Sequence, residues 1–440
     1  MATAVIQFSP MQAAVAAEGG VLDMIVRVQA SDAPPDSGIC TQPPKRLALV
    51  VDRSGSMSGQ PLAEALLCVE HIASHLAPQD QLAVLVYDDR VSTLHPLGPV
   101  NLPALKVALS SVQEGGCTDL FAGWQAGAHA LADGPAHAIS RVMLLSDGCA
   151  NQGLTAPDDI LPHVARAADQ GIATTTVGLG RGFNEELMIA MSRTGRGQQY
   201  YGQRATDLYD GFDEELQLLQ ALCLRRLCLE LVPADGVIIQ PLGVVDRAGD
   251  GRFQLPDLPW AAQAWLAVRL HIAPSTTAQA GNAPRTLLAA TLSATSLNGE
   301  PVTYHAAPLQ LPVLDAAAVA ALPHDEQVVT RLAEAQYAAD SQQLAQLLAS
   351  GQRVPARNLL ISMQQRLGHH PWLAAKLQRL AELAERDEEM YRKEAHFSSR
   401  RTGQRLSARE DGAFAGDETN SQAPAYLRKK VEEGRGRRRD

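Results

Sequence analysis

Three short segments carry oxygen-bearing side chains that could gather round one hard cation. Leu49-Val50-Val51-Asp52-Arg53-Ser54-Gly55-Ser56-Met57 sets a carboxylate and two hydroxyls at alternate positions directly after an apolar run. Gly115-Gly116-Cys117-Thr118-Asp119-Leu120 presents another hydroxyl in a Gly-rich turn, and Leu144-Leu145-Ser146-Asp147-Gly148 ends a second apolar run on a carboxylate. Hydroxyl and carboxylate oxygens suit Mg²⁺ or Mn²⁺ and suit Zn²⁺ or Cu⁺ poorly. Asp52, Ser54, Ser56, Thr118 and Asp147 are therefore the candidate metal residues, with Mg²⁺ (or Mn²⁺) as the expected ion and no catalytic residue assigned.

Such a site needs a scaffold that brings three distant segments together. Strands are expected at 47–51, 81–87, 141–145 and 172–177. Helices are expected from about 61 to 76, at 102–112, 120–132, 160–168 and 184–192, and from 205 to about 222. Short, wholly apolar strands alternating with amphipathic helices predict a doubly wound, mainly parallel sheet covered on both faces. Ligands of such sheets bind outside the carboxyl ends of the strands, where Asp52 and Asp147 fall. Gly55 lets the loop turn tightly between the two serines.

The flanking sequence differs in character. One strand, at 21–28, is legible before a Pro/Ser/Gly stretch at 33–38. Short strands at 228–232, 237–239, 265–272, 287–292 and 302–305, parted by Gly, Pro and Asn turns, read as an all-β sandwich-like domain. From 325 to about 396 the apolar spacing is helical, and from Ser398 on the chain is polar and basic-rich. The expected organisation is an N-terminal strand region (1–40) that joins the β domain, the α/β domain (41–222), the β domain (223–318), a helical region (319–397) and a flexible tail (398–440).

Composition bounds the rest. Hydrophobic residues at 46% and charged residues at 20% describe a globular chain. A net charge of −10 argues against general nucleic-acid binding. No apolar run approaches the roughly 18 residues that span a membrane, and the first twenty residues lack the pattern of a secretory signal. The six cysteines form no CxxC pair, so a cytoplasmic setting is expected.

The three segments together resemble the DxSxS, Thr and Asp-Gly elements of the metal-ion-dependent adhesion site of von Willebrand factor type A domains, bacterial in type. The resemblance covers about residues 45–210, with all five motif positions filled. It implies that Ser54, Ser56 and Thr118 touch the metal while Asp52 and Asp147 hold it largely through water. The flanking strands are similar to bacterial proteins in which such a domain is inserted in a β-sandwich. A cation so held keeps much of its charge and can exchange a water for an Asp or Glu carboxylate of a protein partner. The resemblance thus implies a non-catalytic binding module, a scaffold or an adaptor in a larger assembly.

Neighbouring residues have plainer readings. Asp119 is expected to cap the helix after Thr118, Asp88 and Asp89 to be loop residues, and Cys117 and Cys149 to be packed structural thiols. The enzymatic alternative is a Mg²⁺-dependent phosphohydrolase with Asp52 as nucleophile. In dehalogenase-like phosphatases the general acid is an Asp two residues on. Here that position is Ser54, which cannot serve near neutral pH. No GxSxG, GxxxxGK[ST] or GxGxxG element stands in the right context for a hydrolase or nucleotide site.

Overall fold

The computed structural model of the chain describes residues 3–32, 43–147, 149–179, 184–202, 204–274, 284–403 and 407–408. Two compact units emerge: Asp36–Ala221 with Leu297–Glu300, and Met1–Pro35 with Leu222–Ser296 and Pro301–Asp440. In chain order the second unit begins first, with β1 (Ala4–Pro10), β2 (Val15–Ala16) and β3 (Gly20–Ala30).

The α/β unit follows: β4 (Lys45–Asp52), α1 (Gln60–Ser74), β5 (Gln81–Tyr87), β6 (Val91–Gly98), α2 (Leu102–Ser110), α3 (Leu120–Leu131), β7 (Ile139–Ser146), α4 (Pro157–Asp169), β8 (Ile172–Leu179), α5 (Glu185–Thr194), β9 (Arg196–Gly202) and α6 (Tyr209–Ala221). Its sheet has the order β6-β5-β4-β7-β8-β9, parallel except for β6. β4 and β7 are buried at every position, as helices on both faces require of central strands. Side chains of Asn101, Asp119 and Asn184 cap α2, α3 and α5 by accepting from main-chain N–H groups. Lys45, deeply buried at the start of β4, is neutralised by Asp80 at 2.7 Å.

β6 and β9 went unread in the sequence. Both lie at sheet edges and are only partly buried, so neither has an apolar run. Pro96 inside β6 is tolerated because edge strands can dispense with one ladder bond. The helix expected from 205 opens as a 3₁₀ turn, Ala205–Asp207, before α6.

The second unit resumes with β10 (Leu222–Pro233), β11 (Val237–Pro241), the two-residue strands β12 to β14 (Asp246–Arg247, Phe253–Gln254, Leu258–Pro259), β15 (Ala262–Ile272), β16 (Arg285–Ser296), β17 (Pro301–His305), β18 (Leu309–Leu311) and β19 (Val313–Leu314). It continues with α7 (Ala316–Ala320), α8 (Glu326–Ala349), α9 (Arg353–Leu367), α10 (Pro371–Arg386) and α11 (Glu388–Gly403). One antiparallel sheet runs β1-β3-β15-β11, and a second runs β12-β13-β10-β16-β17. The strand read at 21–28 is β3, paired along its length with β15. Its other neighbour, β1, is a second N-terminal strand that the sequence reading missed. Ile25, Trp265 and Ala267 pack against Val328 and Ala335 of α8, which explains why β15 is almost wholly buried.

The helices α8 to α11 share a core that includes Tyr337, Leu344, Leu360, Met363, Leu377 and Leu380. The flexible tail expected from Ser398 needs correction at its start, because α11 continues to Gly403. Ser398 and Ser399 are buried against α8, bonded to the Tyr337 hydroxyl at 2.9 Å and to the Ala338 carbonyl at 2.6 Å. Small hydroxyl side chains made this packed turn look like tail. The tail beyond 408 and the loop at 33–38 lie outside the described residues. Among the described residues no helix is long and apolar enough to cross a membrane.

Candidate metal centre

The chain leaves β4 toward β5 and β6 on one side, then returns to place β7 on the other. Strand order therefore reverses between β4 and β7, the switch point at which open α/β sheets leave a crevice beyond their carboxyl ends. Register aligns Val51 with Leu145, so Asp52 leaves the sheet beside Ser146, with Asp147 one residue beyond. The third segment arrives on α3, which lies unusually close to the sheet. A Cβ on Gly123 would stand 2.5 Å from the Tyr87 ring, and one on Gly127 would stand 2.5 Å from Val50 Cγ2. Those two glycines bring Thr118, just before the α3 cap, toward the β4 loop.

Main-chain bonds lock the loops together. Gly55 N donates to the Gly116 carbonyl at 3.1 Å, and Gly115 N to the Arg53 carbonyl at 2.7 Å. Arg53 itself pairs with Asp88 at 2.9 Å, which gives that buried aspartate a structural task in the loop. Within the motif, Ser54 and Ser56 Oγ lie 3.2 Å apart. Asp52 is fully buried, Ser54 and Thr118 nearly so, Asp147 is 7% exposed, and Ser56 stands at the exposed rim.

Both oxygens of Asp52 are engaged. Oδ1 accepts from Ser54 N at 2.9 Å, and Oδ2 accepts from Ser146 Oγ at 2.6 Å and Tyr87 Oη at 3.2 Å. Burial raises the Asp52 carboxyl above its ordinary range, the Ser146 and Ser54 hydrogen bonds oppose that rise, and the neighbouring Asp147 charge adds to it. Asp147 is oriented through Oδ1, which accepts from Cys149 N at 3.0 Å, and through its carbonyl, which accepts from Asn184 N at 2.7 Å. Asn151 holds the Thr118 main chain at both ends, accepting from its N–H at 2.7 Å and donating to its carbonyl at 3.1 Å.

Ser146, Tyr87 and Asn151 were not singled out in the sequence. Tyr87 and Ser146 had a usable signal, since each is the last residue of a strand flanking β4. Asn151 had none, because its loop has no periodicity. Cys117 is exposed, contrary to its reading as a packed thiol, whereas Cys68 and Cys223 are buried with thiols pushed up to about 12. Cys40 lies outside the described residues.

The donor set fits a hard divalent cation. Adjacent ligands of an octahedral Mg²⁺ at about 2.1 Å stand about 3.0 Å apart, close to the Ser54–Ser56 separation. Two neighbouring carboxylates of like charge gain from a cation set between them.

The sequence model of the von Willebrand factor type A domain matches residues 47–212. An uncharacterized protein of Synechocystis sp., sll0103, is 28% identical over 206 residues, which are 46% of this chain and 49% of that protein. Inter-alpha-trypsin inhibitor heavy chain H3 of Mesocricetus auratus is 26% identical over 185 residues, 40% of this chain and 20% of that protein. The chain thus aligns with half or less of the length of these curated relatives. The solved structure of von Willebrand factor type A from Catenulispora acidiphila shares the fold, with a TM-score of 0.67 at 15% identity over 90% of this chain and 96% of that one. With the sheet order and the matched segment in agreement, residues 47–212 of this chain are a von Willebrand factor type A domain.

Proposed function

We propose that this domain is a metal-dependent protein-binding module in which Mg²⁺ or Mn²⁺ captures an Asp or Glu carboxylate of a protein partner. The observation that carries the reading is the pair of neutral hydroxyls, Ser54 and Ser56, set 3.2 Å apart in front of a buried carboxylate whose two oxygens are already bonded. Neutral oxygens in contact with the ion, and carboxylates tied back behind them, leave it electron-poor. A partner's carboxylate can then replace a bound water and complete the octahedron. The same arrangement disfavours the phosphohydrolase alternative. Asp52 has no exposed face for in-line attack, and Ser54 stands where the general acid would be needed. An adaptor or scaffold in a cytoplasmic assembly suits a chain whose six cysteines form no CxxC pair.

The test is capture of partners by the full chain in Mg²⁺ and in EDTA, with Ser54→Ala/Ser56→Ala as control. A partner held in Mg²⁺, released by EDTA and lost in the double variant supports the reading. Capture that ignores both treatments overturns it. A phosphatase screen in Mg²⁺ and Mn²⁺ forms the second arm: sustained turnover abolished in Asp52→Asn would establish the enzyme instead.

A further inference from the structure

α1 carries a second group of metal-binding side chains that the hydroxyl site does not use. His71 in the last turn of α1 and His75 at its C-cap are four residues apart, and their ring centroids lie 4.3 Å from one another. Asp213 reaches them from α6, its Oδ1 2.8 Å from His71 Nε2. One ligand atom from each of the three lies within 4.8 Å of the others. The rings are oriented in advance. His71 stacks on Tyr209 with centroids 4.0 Å and planes 4° apart, and His75 Nδ1 donates to the His71 carbonyl at 2.8 Å. That bond leaves the lone pair of the neutral His75 ring on Nε2, the manner in which outer partners fix metal-binding imidazoles. His71 is largely enclosed, while Asp213 is half-buried and His75 exposed, so an ion has a way in.

We propose that His71, His75 and Asp213 form a second metal site, one that takes Zn²⁺ and clips α6 to α1. Two imidazoles at i and i+4 with one carboxylate are a ligand set for zinc, and water fills the fourth tetrahedral position. Round such an ion the ligand atoms stand about 3.3 Å from one another, so the His71–Asp213 pair opens slightly and His75 closes in, a change within reach of small side-chain rotations. Imidazole prefers zinc where hydroxyl prefers magnesium, so the two sites differ in chemistry and this one stands whether or not the other binds.

The test titrates Zn²⁺ into the full chain carrying Ser54→Ala/Ser56→Ala, in excess Mg²⁺, followed by calorimetry and thermal melting. About one equivalent should bind and raise the Tm. His75→Ala removes an exposed ring and Asp213→Asn keeps the side-chain shape. Each should weaken zinc binding by about tenfold or more and abolish the Tm rise while the metal-free Tm holds. Zinc binding that survives both variants would move the ion to thiols such as Cys117 and overturn the proposal. Absence of zinc binding would also overturn it, leaving His71–Asp213 as a plain contact between two helices.

Discussion

Burial lifts the Asp52 carboxyl, and the Ser146 hydroxyl at 2.6 Å does most to hold it ionised. That hydroxyl never needs to touch a metal to matter. Ser146→Ala should lower Mg²⁺ affinity by about tenfold, read by calorimetry, with the metal-free fold retained. Ser54→Ala/Ser56→Ala should go further and erase the Mg²⁺ response. At a metal concentration 100 times Kd the unaltered chain gains about 2.7 kcal/mol, and melting curves of the double variant with and without Mg²⁺ should coincide. A residual shift in that variant would remove both serines from the site. At this scale the sequence was legible wherever a functional side chain sat in a dense motif, as Asp52, Ser54 and Ser56 do. It was silent on Asn151, whose side-chain oxygen and main-chain N–H bond the Thr118 N–H and carbonyl in a pairing that no spacing announces.

α3 is an element whose placement depends on the lack of side chains. Gly127 faces Val50 of β4 too closely for any Cβ, so Gly127→Val must push the helix off the sheet. Overpacking of this kind costs about 1–3 kcal/mol. Urea unfolding should show that loss, together with weakened Mg²⁺ binding because Thr118 moves with the helix. Unchanged stability would mean that α3 is free to shift. The central strands could be read directly, since burial on both faces leaves a continuous apolar run such as Leu47 to Val51. Edge strands could not. β9, Arg-Gly-Gln-Gln-Tyr-Tyr-Gly, is held by its parallel partner β8 more than by any pattern of its own. The last turn of α11 was hidden for a different reason: Ser398 and Ser399 enter the helical core through hydrogen bonds, which hydropathy does not register.

On the scale of the whole molecule, the α/β unit holds its own core, from Ala48 and Val50 through Trp124 to Met191. A fragment spanning 43–221 should therefore fold alone and keep its Mg²⁺-dependent melting shift. Limited proteolysis that never yields a stable piece of about that extent would count against it. The second unit has no such autonomy in time. β3 is synthesised before the α/β unit and β15 after it, yet the two pair along their lengths, with Gln29 opposite Gln263. A ribosome thus releases half of this sheet long before its partner exists. Until then β3 has β1 along one side and an open apolar edge along the other, the kind of edge that invites aggregation. Closing so long a loop is slow, so refolding followed by pulsed hydrogen exchange should protect 45–202 first and 20–30 together with 262–272 later. Simultaneous protection would mean that the strands find each other without waiting. For a cell making this protein, the vulnerable interval is set by how long the first thirty residues must wait for residue 272.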